Sequence, residues 1–204
     1  MTSVDHGRKV LLALLIARAA INAAFAAVLV LDPPTTYTAL LPLLMVFGLA
    51  DGAAAILVAP VVHRVWSDGP YWIASLATGI SRLALAGLVI IMPDLQKHPV
   101  LLLQFLVAGS AIAILNGLMK FLLAAQLRRS SRPGLAALAA VFGLLLVAVA
   151  LILGFRLDPT VATARALLPV ISAFEAFALG VLAVVAARTR GTLAGKLRII
   201  RSRH

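Results

Sequence analysis

Residues 37–61 read YTALLPLLMVFGLADGAAAILVAPV, and this apolar stretch indicates how the chain folds. It is long enough to cross a bilayer as a helix, because about 20 residues span the hydrocarbon core. Its one charged residue is Asp51, which lies near the middle. A carboxylate at that depth is costly unless another group compensates for it. The stretch therefore predicts a membrane helix and a partner for Asp51 elsewhere in the chain.

The composition of the whole chain is typical of an integral membrane protein. Of its 204 residues, 63% are hydrophobic and 12% are charged, whereas about a quarter of a soluble domain is charged. A chain of this size cannot bury so much apolar surface in a core, so the excess must face lipid. Cysteine is absent, which excludes disulfides, thiolate metal sites and thiol nucleophiles.

Apolar stretches of transmembrane length recur along the chain, separated by short turns rich in Pro, Asp and Gly. We predict an all-α integral membrane bundle of six transmembrane helices that forms a single membrane domain over residues 1–204. The predicted spans are Val10–Leu31, Tyr37–Val61, Tyr71–Met92, Pro99–Gln126, Leu135–Phe155 and Val161–Ala187.

The first of these spans has an alternative interpretation as a signal peptide cleaved after Ala26. Two observations weigh against cleavage. Arg18 interrupts the apolar stretch, and the apolar character continues past Ala26 to Leu31. We therefore favour an uncleaved first helix.

The distribution of basic residues predicts the orientation, because cytoplasmic loops carry an excess of Lys and Arg. Only Lys97 and Arg156 fall in turns on the opposite side. We predict a cell inner membrane location with both termini cytoplasmic. Despite the net charge of +11, we interpret residues 188–204 as a basic cytoplasmic tail that binds anionic lipid rather than nucleic acid. The twelve basic residues on the predicted cytoplasmic side are Arg8, Lys9, Arg64, Arg128, Arg129, Arg132, Arg188, Arg190, Lys196, Arg198, Arg201 and Arg203.

Three helical hairpins, at about residues 9–63, 70–127 and 134–188, indicate an internal repeat. The turns inside them contain LVLDPP, VIIMPD and FRLDPT, and the second helices carry LADGAAAILVA, ILNGLMKFLLA and FALGVLAVVAA. The glycines of the latter motifs are 65 and 63 residues apart. Because each hairpin starts and ends on the same side, the repeats are parallel, unlike the inverted repeats of many transporters.

Small residues on the second helix of each hairpin predict close helix packing. Gly48 and Gly52 form a small-xxx-small pair, and Gly117 and Gly180 take the position of Gly52 in the other hairpins. Small residues at this spacing let two helix backbones approach each other in a membrane. We expect these glycines to pack one hairpin against the next.

With its three hairpins, proline-containing turns and small-residue motif, the chain resembles the HdeD family. These are small six-helix bacterial inner-membrane proteins connected with acid resistance. The resemblance covers roughly Lys9 to Arg188, and LADGAAAIL after LVLDPPTTYTALLPLLMVFG is its best match. The chain departs from the family at Ala19, where a glycine often follows the arginine, and at Leu179, where the polar residue of the motif is lost. The resemblance implies an envelope stress role and no defined catalytic residue, cofactor or substrate.

Charged residues inside the predicted spans are candidates for function. Arg18, Asp51, Arg82 and Glu175 all fall near the middle of their helices. We expect Arg18 to pair with Asp51, and Arg82 with Glu175. Two interpretations remain open at this point. The pairs either fix helix packing, or they form a polar pathway or proton-sensitive site in which protonation of a carboxylate releases an arginine.

Uncharged and peripheral polar residues extend this set. Asn22 shares a helix face with Arg18, and Asn116 takes the place of Asp51 in the second hairpin. Lys120 shares the face of Asn116 and lies nearer the cytoplasmic end, where its side chain can extend to the interface. Gln104 and Arg165 lie close to the outer ends of their helices. These two can likewise contact interfacial water.

No enzyme, metal or cofactor motif is found in the sequence. The histidines, at positions 6, 63, 98 and 204, lie at termini or in predicted loops, and none has a second ligand at metal-site spacing. We expect a non-enzymatic protein that acts in envelope or acid stress by packing, oligomerising or binding a partner. The alternative is a small transporter or channel that uses the midplane charges.

Overall fold

The structure is a computed structural model that describes residues 3–65, 71–91, 99–129, 133–155 and 161–188. These residues form six α-helices and no strand, and all six helices are long and apolar enough to cross a membrane. The predicted all-α membrane bundle is thus confirmed for the described part of the chain. The helices are α1 (Ser3–Leu31), α2 (Tyr37–Val65), α3 (Tyr71–Ile91), α4 (Pro99–Arg129), α5 (Pro133–Phe155) and α6 (Val161–Arg188).

Three helices extend beyond the predicted apolar spans into polar sequence. α1 begins seven residues earlier than predicted, α2 ends at Val65 and α4 ends at Arg129. The apolar pattern marks only the part of a helix that lies in hydrocarbon, whereas the helix itself can continue into the interface. His63, which was predicted in a loop, consequently lies in the last turn of α2, and its ring centre is 5.3 Å from that of Trp72.

Several sequence predictions concern residues that the structure does not describe. The predicted tail beyond residue 188 falls outside the described residues, as do Lys97, His98 and Arg156. Gln104 and Arg165 lie in α4 and α6, but their side chains also fall outside the description.

The turn between α1 and α2 shows why the two helices end and begin where they do. The amide of Asp32 donates the last helical hydrogen bond of α1, to the carbonyl of Val28 at 2.9 Å. Two prolines follow Asp32, and proline cannot continue a helix. The Thr36 hydroxyl oxygen then accepts a hydrogen bond from the Ala39 amide at 3.3 Å, which caps the start of α2.

Helix contacts between the predicted hairpins are more extensive than those within them. The main contacts join α2 with α3, α4 with α5 and α1 with α6. Each hairpin therefore packs most closely against a helix of a neighbouring hairpin. This arrangement suits three similar hairpins packed around one bundle, while the internal repeat itself stays a prediction.

Glycines face each other in two of these three helix pairs. A Cβ on Gly79 of α3 would lie 2.8 Å from the carbonyl oxygen of Gly52 on α2. A Cβ on Gly143 of α5 would likewise lie 2.8 Å from the carbonyl oxygen of Gly117 on α4. Real Cβ atoms do not approach backbone so closely, so Gly52 and Gly117 have the packing role that the sequence predicts.

Gly180 does not have that role, which corrects the sequence prediction. No atom of the described residues lies within 4 Å of the position where its Cβ would be. The face that α6 turns towards α1 instead carries Leu179 and Ala183, which pack with Leu11 and Leu15 of α1. Gly180 is one residue further along the helix, about 100° away from that face, because a helix turns once in about 3.6 residues.

The start of α1 is tied to the end of α6 by an arginine. Arg8 donates hydrogen bonds to the carbonyl oxygen of Ala186, at 2.8 Å, and to that of Ala187. The last carbonyl groups of a helix have no partner within the helix. Arg8 thus supplies donors to the end of α6 and fixes the relative height of the two helices.

We predict that Gly79→Leu lowers the free energy of unfolding by about 1–3 kcal/mol, because the side chain would be forced against the backbone of α2. The measurement is thermal unfolding of the purified protein in detergent. Gly180→Leu is the matched control, and it should leave the unfolding temperature unchanged because its side chain enters open space. Equal unfolding temperatures for the two variants would contradict the close approach of α2 and α3.

Candidate functional site: an ion-pair cluster between two cavities

Four charged residues meet at the centre of the bundle, each from a different helix. Arg18 comes from α1, Asp51 from α2, Arg82 from α3 and Glu175 from α6. We call these four residues the ion-pair cluster. Both predicted pairs are in contact, and two further pairs join them, so each arginine binds both carboxylates.

Asp51 is completely buried at the middle of this cluster, with 0% of its surface exposed. The Arg18 guanidinium binds it through two nitrogens, with Nη2 at 2.9 Å from Oδ2 and Nε at 3.1 Å from Oδ1. Arg82 makes a further ion pair with Oδ2. Asn22 donates a hydrogen bond to Oδ1 at 2.7 Å. The carboxylate thus accepts three hydrogen bonds and makes ion pairs with both arginines.

Glu175 links the cluster to α6. Its Oε1 lies 3.3 Å from Nη2 of Arg18, and its Oε2 is paired with Nη2 of Arg82. The residue is 4% exposed. Arg18 and Arg82 therefore lie between the two carboxylates, and the four charges alternate in sign around the cluster. Such an arrangement keeps the two like-charged pairs apart while each unlike pair is in contact.

The close approach of α2 and α3 is what allows Arg82 to reach Asp51. A Cβ on Gly48 would lie 3.0 Å from the carbonyl oxygen of Arg82. The Arg82 guanidinium also lies over the ring of Phe47, 4.8 Å from its centre, as a cation–π contact. The Phe47 ring is stacked on Phe25 with the ring centres 4.0 Å apart. Glycine and aromatic residues of α2 thus hold Arg82 in place.

Asn22 joins the cluster to the backbone of α1. Its side-chain amide donates to the Arg18 carbonyl at 3.0 Å as well as to Asp51. Its own oxygen, Oδ1, is buried and accepts no hydrogen bond from the described residues. The residue orients both Arg18 and Asp51, a role that its shared face with Arg18 already indicates in the sequence.

Lys120 is half-buried, and its ammonium lies 5.3 Å from the centre of the Phe142 ring of α5. The apolar span of α4 ends at Ala125, about 7.5 Å further along the helix axis. The extension of this side chain to the cytoplasmic interface therefore stays a prediction. Asn116, one turn earlier, lines a cavity with Lys120.

Two cavities flank the ion-pair cluster along the bundle. One of about 240 Å³ extends towards the α1–α2 turn and is called the turn-side cavity. The other, of about 100 Å³, extends towards the start of α1 and the end of α6 and is called the terminus-side cavity. Phe25 and Leu168 line the first, and Leu15 and Leu182 line the second.

The cavities share four lining residues, which mark the boundary between them. They are Thr78, Lys120, Phe142 and Glu175. Asp51 lines neither cavity. Glu175 and Lys120 are therefore the charged groups adjacent to both spaces, while Asp51 is enclosed by its four donors.

Neither similarity to known proteins nor a group of metal-binding side chains assigns a function to this site. No protein family, curated protein or solved structure matches the chain. Within the described residues, no group of three or more His, Cys, Asp or Glu side chains is placed to hold a metal ion. The argument about function therefore rests on the cluster and its cavities.

Sequence reasoning missed several residues around the cluster. Phe47 and Phe142 each hold a cation, but aromatic residues in apolar helices give no sign of such contacts. Ser110 and Ser172 line the turn-side cavity. A signal in the helical spacing exists for Ser172, which precedes Glu175 by one turn. Ser110 lies six residues before Asn116, about 120° away around the helix, so its position gives no such signal.

We predict that Asp51→Asn lowers the free energy of unfolding by about 3–5 kcal/mol, because it leaves Arg18 and Arg82 buried with one carboxylate fewer. Thermal or denaturant unfolding in detergent measures the change. Asp32→Asn is the matched control, since Asp32 is exposed beyond the end of α1. Similar losses in both variants would contradict the burial and pairing of Asp51.

A double-mutant cycle tests the contact between α2 and α3 separately. Asp51→Asn with Arg82→Gln restores the balance of buried charge that each single variant disturbs. The double variant should be more stable than the sum of the two single effects by about 0.5–3 kcal/mol. Additive effects would show that Arg82 and Asp51 do not interact.

Proposed function

We propose that the protein is a multi-pass inner-membrane protein of the HdeD type, with both termini cytoplasmic and no enzymatic activity. In this proposal it acts in envelope or acid stress through helix packing or partner binding. Its supporting features are the apolar helices, the uneven distribution of basic residues and the family resemblance. The single observation that carries the proposal is the enclosure of Asp51 by Arg18, Arg82 and Asn22.

The enclosure of Asp51 favours a role in architecture over a role in conduction. A carboxylate that carries protons or ions needs access to water, whereas Asp51 has no exposed surface and lines neither cavity. An ion pair that is broken inside a protein costs about 3–5 kcal/mol, because the remaining charge is left uncompensated. Hydrogen bonds between membrane helices contribute only about 0.6 kcal/mol on average. The cluster therefore links α1, α2, α3 and α6, and removal of any one of its charges is costly.

The ion-pair cluster also contains the carboxylates that a low pH would protonate. Uptake of a proton by Glu175, which lines both cavities, would remove one negative charge and leave Arg18 and Arg82 facing a single carboxylate. Repulsion between the cations would then favour a different packing of the four helices. A change of packing of this kind is how we connect the cluster to acid stress, and a partner protein could detect it.

The basic residues and the exposed apolar residues indicate lipid and a second copy of the chain as further partners. The bilayer covers the apolar exterior, and the basic cytoplasmic residues are proposed to bind anionic lipid. Nucleic acid is not an expected partner. A homo-oligomer is compatible with this proposal, because apolar residues of every helix remain exposed on the single chain.

A second candidate function is a small transporter or channel, and the two cavities favour it. They lie on opposite sides of the cluster and share Glu175 and Lys120. A path between the two ends of the bundle would pass these residues. Movement of Glu175 away from Arg18 and Arg82 would be required to open it.

Proton flux into proteoliposomes distinguishes the two candidates. We predict that, under an imposed pH gradient, liposomes with the wild-type protein show the same flux as empty liposomes, because Asp51 is enclosed. The preparation must give a single unfolding transition to count as folded. Flux above the empty liposomes that disappears in Glu175→Gln would overturn the structural role and support the transporter.

The stress role is tested in the organism of origin with a deletion strain. We predict that the deletion lowers survival at low external pH, that the wild-type gene restores it, and that the Asp51→Asn variant does not. The Asp32→Asn variant serves as the control and should restore survival. Equal survival of the deletion strain and its parent would contradict the acid-stress proposal.

A further inference from the structure

The charges inside the described part of the bundle do not balance. Arg18, Arg82 and Lys120 carry three positive charges, and Asp51 and Glu175 carry two negative ones. Arg82 and Lys120 are half-buried, and the other three are buried. The ion-pair cluster is neutral in itself, so the excess positive charge belongs to Lys120. An uncompensated cation inside a membrane protein is costly unless an anion, a carbonyl group or water meets it.

The surroundings of Lys120 provide little compensation. No salt bridge in the described part of the chain includes its ammonium, which lies over the face of the Phe142 ring at 5.3 Å. Glu175 attracts it only from beyond salt-bridge distance. A cation–π contact contributes about 0.5–2 kcal/mol, less than a carboxylate would. The carboxylate oxygens of Glu175 are already paired with the two arginines. Lys120 is therefore available to a further anion.

The turn-side cavity places hydrogen-bond donors beside Lys120. Ser110 and Ser172 line it and are only 8% and 4% exposed. Neither hydroxyl has a hydrogen-bond partner among the described residues, and the same holds for the Asn116 amide on the wall of the cavity. Buried polar groups are normally hydrogen-bonded. Arg82 and Glu175 also line this cavity, and they are paired with each other. The three unpartnered donors and the ammonium of Lys120 are therefore the groups left to meet an anion.

Most of the remaining lining is apolar and limits the size of the ligand. Leu85, Val89, Ile112, Leu146 and Val149 cover much of the wall. The volume is about 240 Å³, below the range of about 300–1,000 Å³ that is usual for pockets of drug-sized ligands. A long acyl chain would not fit inside it, and a bare inorganic ion would leave the apolar walls without contacts.

We propose that the turn-side cavity binds a small organic acid, a carboxylate with a short apolar tail. The carboxylate binds the Lys120 ammonium and accepts hydrogen bonds from Ser110, Asn116 and Ser172, and the tail lies against the aliphatic wall. The bound acid balances the third buried cation. This binding site is separate from the contacts that give Asp51 its proposed architectural role, because Asp51 does not line the cavity.

Binding of radiolabelled benzoate to the protein in phosphatidylcholine nanodiscs tests the proposal, with empty nanodiscs subtracted. Benzoate combines a carboxylate with a compact apolar ring. We expect saturable binding at pH 7 that unlabelled hexanoate displaces. Benzamide, which has the same shape without the charge, and chloride, which has the charge without the tail, should not displace it at equal concentration.

Variants of the two lysines in the described helices provide the matched comparison. Lys120→Met keeps the length of the side chain and removes the charge, so it should weaken benzoate binding about tenfold or more. Lys9→Met makes the same change at the exposed start of α1 and should leave binding unaltered. Ser172→Ala should weaken binding about threefold to tenfold. It tests the same cavity if Lys120→Met does not fold.

Several outcomes would overturn the proposal. They are the absence of saturable binding to folded wild-type protein, displacement by benzamide as effective as that by hexanoate, displacement by chloride, and unchanged affinity in folded Lys120→Met. None of these bears on the acid-survival experiment. The proposed binding site can therefore be disproved without disproving the proposed stress function, and the reverse is also true.

Discussion

A charged side chain at the centre of a bilayer costs about 2.5–3.5 kcal/mol on insertion scales, and this bundle holds four of them in contact. Because each arginine binds both carboxylates, none of the four helices can rotate or slide without separating a pair. The need to compensate these charges therefore fixes the depth and rotation of α1, α2, α3 and α6. The glycine contact between Gly52 and Gly79 follows from the same register, because it lies next to Arg82.

The other two helices are held differently. α4 and α5 contact each other far more than they contact α3 and α6, and their link is the close approach of Gly117 and Gly143. Neither helix contributes to the ion-pair cluster. The bundle thus consists of a four-helix unit joined by charge and a two-helix unit joined by backbone proximity. The turn-side cavity lies between the two units, where packing is least extensive.

The fold could be predicted from the sequence to a large extent, because apolar length alone indicates membrane helices. Arg18, Asp51, Arg82 and Glu175 could be selected as well, since depth follows from position along a helix. What the sequence did not reveal was which faces meet. Rotation about the helix axis decides that Arg82 also reaches Asp51, that Gly180 faces open space and that Lys120 turns towards Phe142. Those outcomes depend on packing between helices distant in the chain.

Packing between the helices also decides which charges maintain the fold and which charge is available to a ligand. Asp51 accepts three hydrogen bonds, makes ion pairs with both arginines and lines neither cavity, so a change at this position alters stability before it alters anything else. Lys120 makes no ion pair within the described residues and borders both cavities. Lys120 adds a positive charge that the ion-pair cluster does not balance. Function that depends on a bound molecule is therefore expected at Lys120 and the turn-side cavity rather than at the centre of the ion-pair cluster.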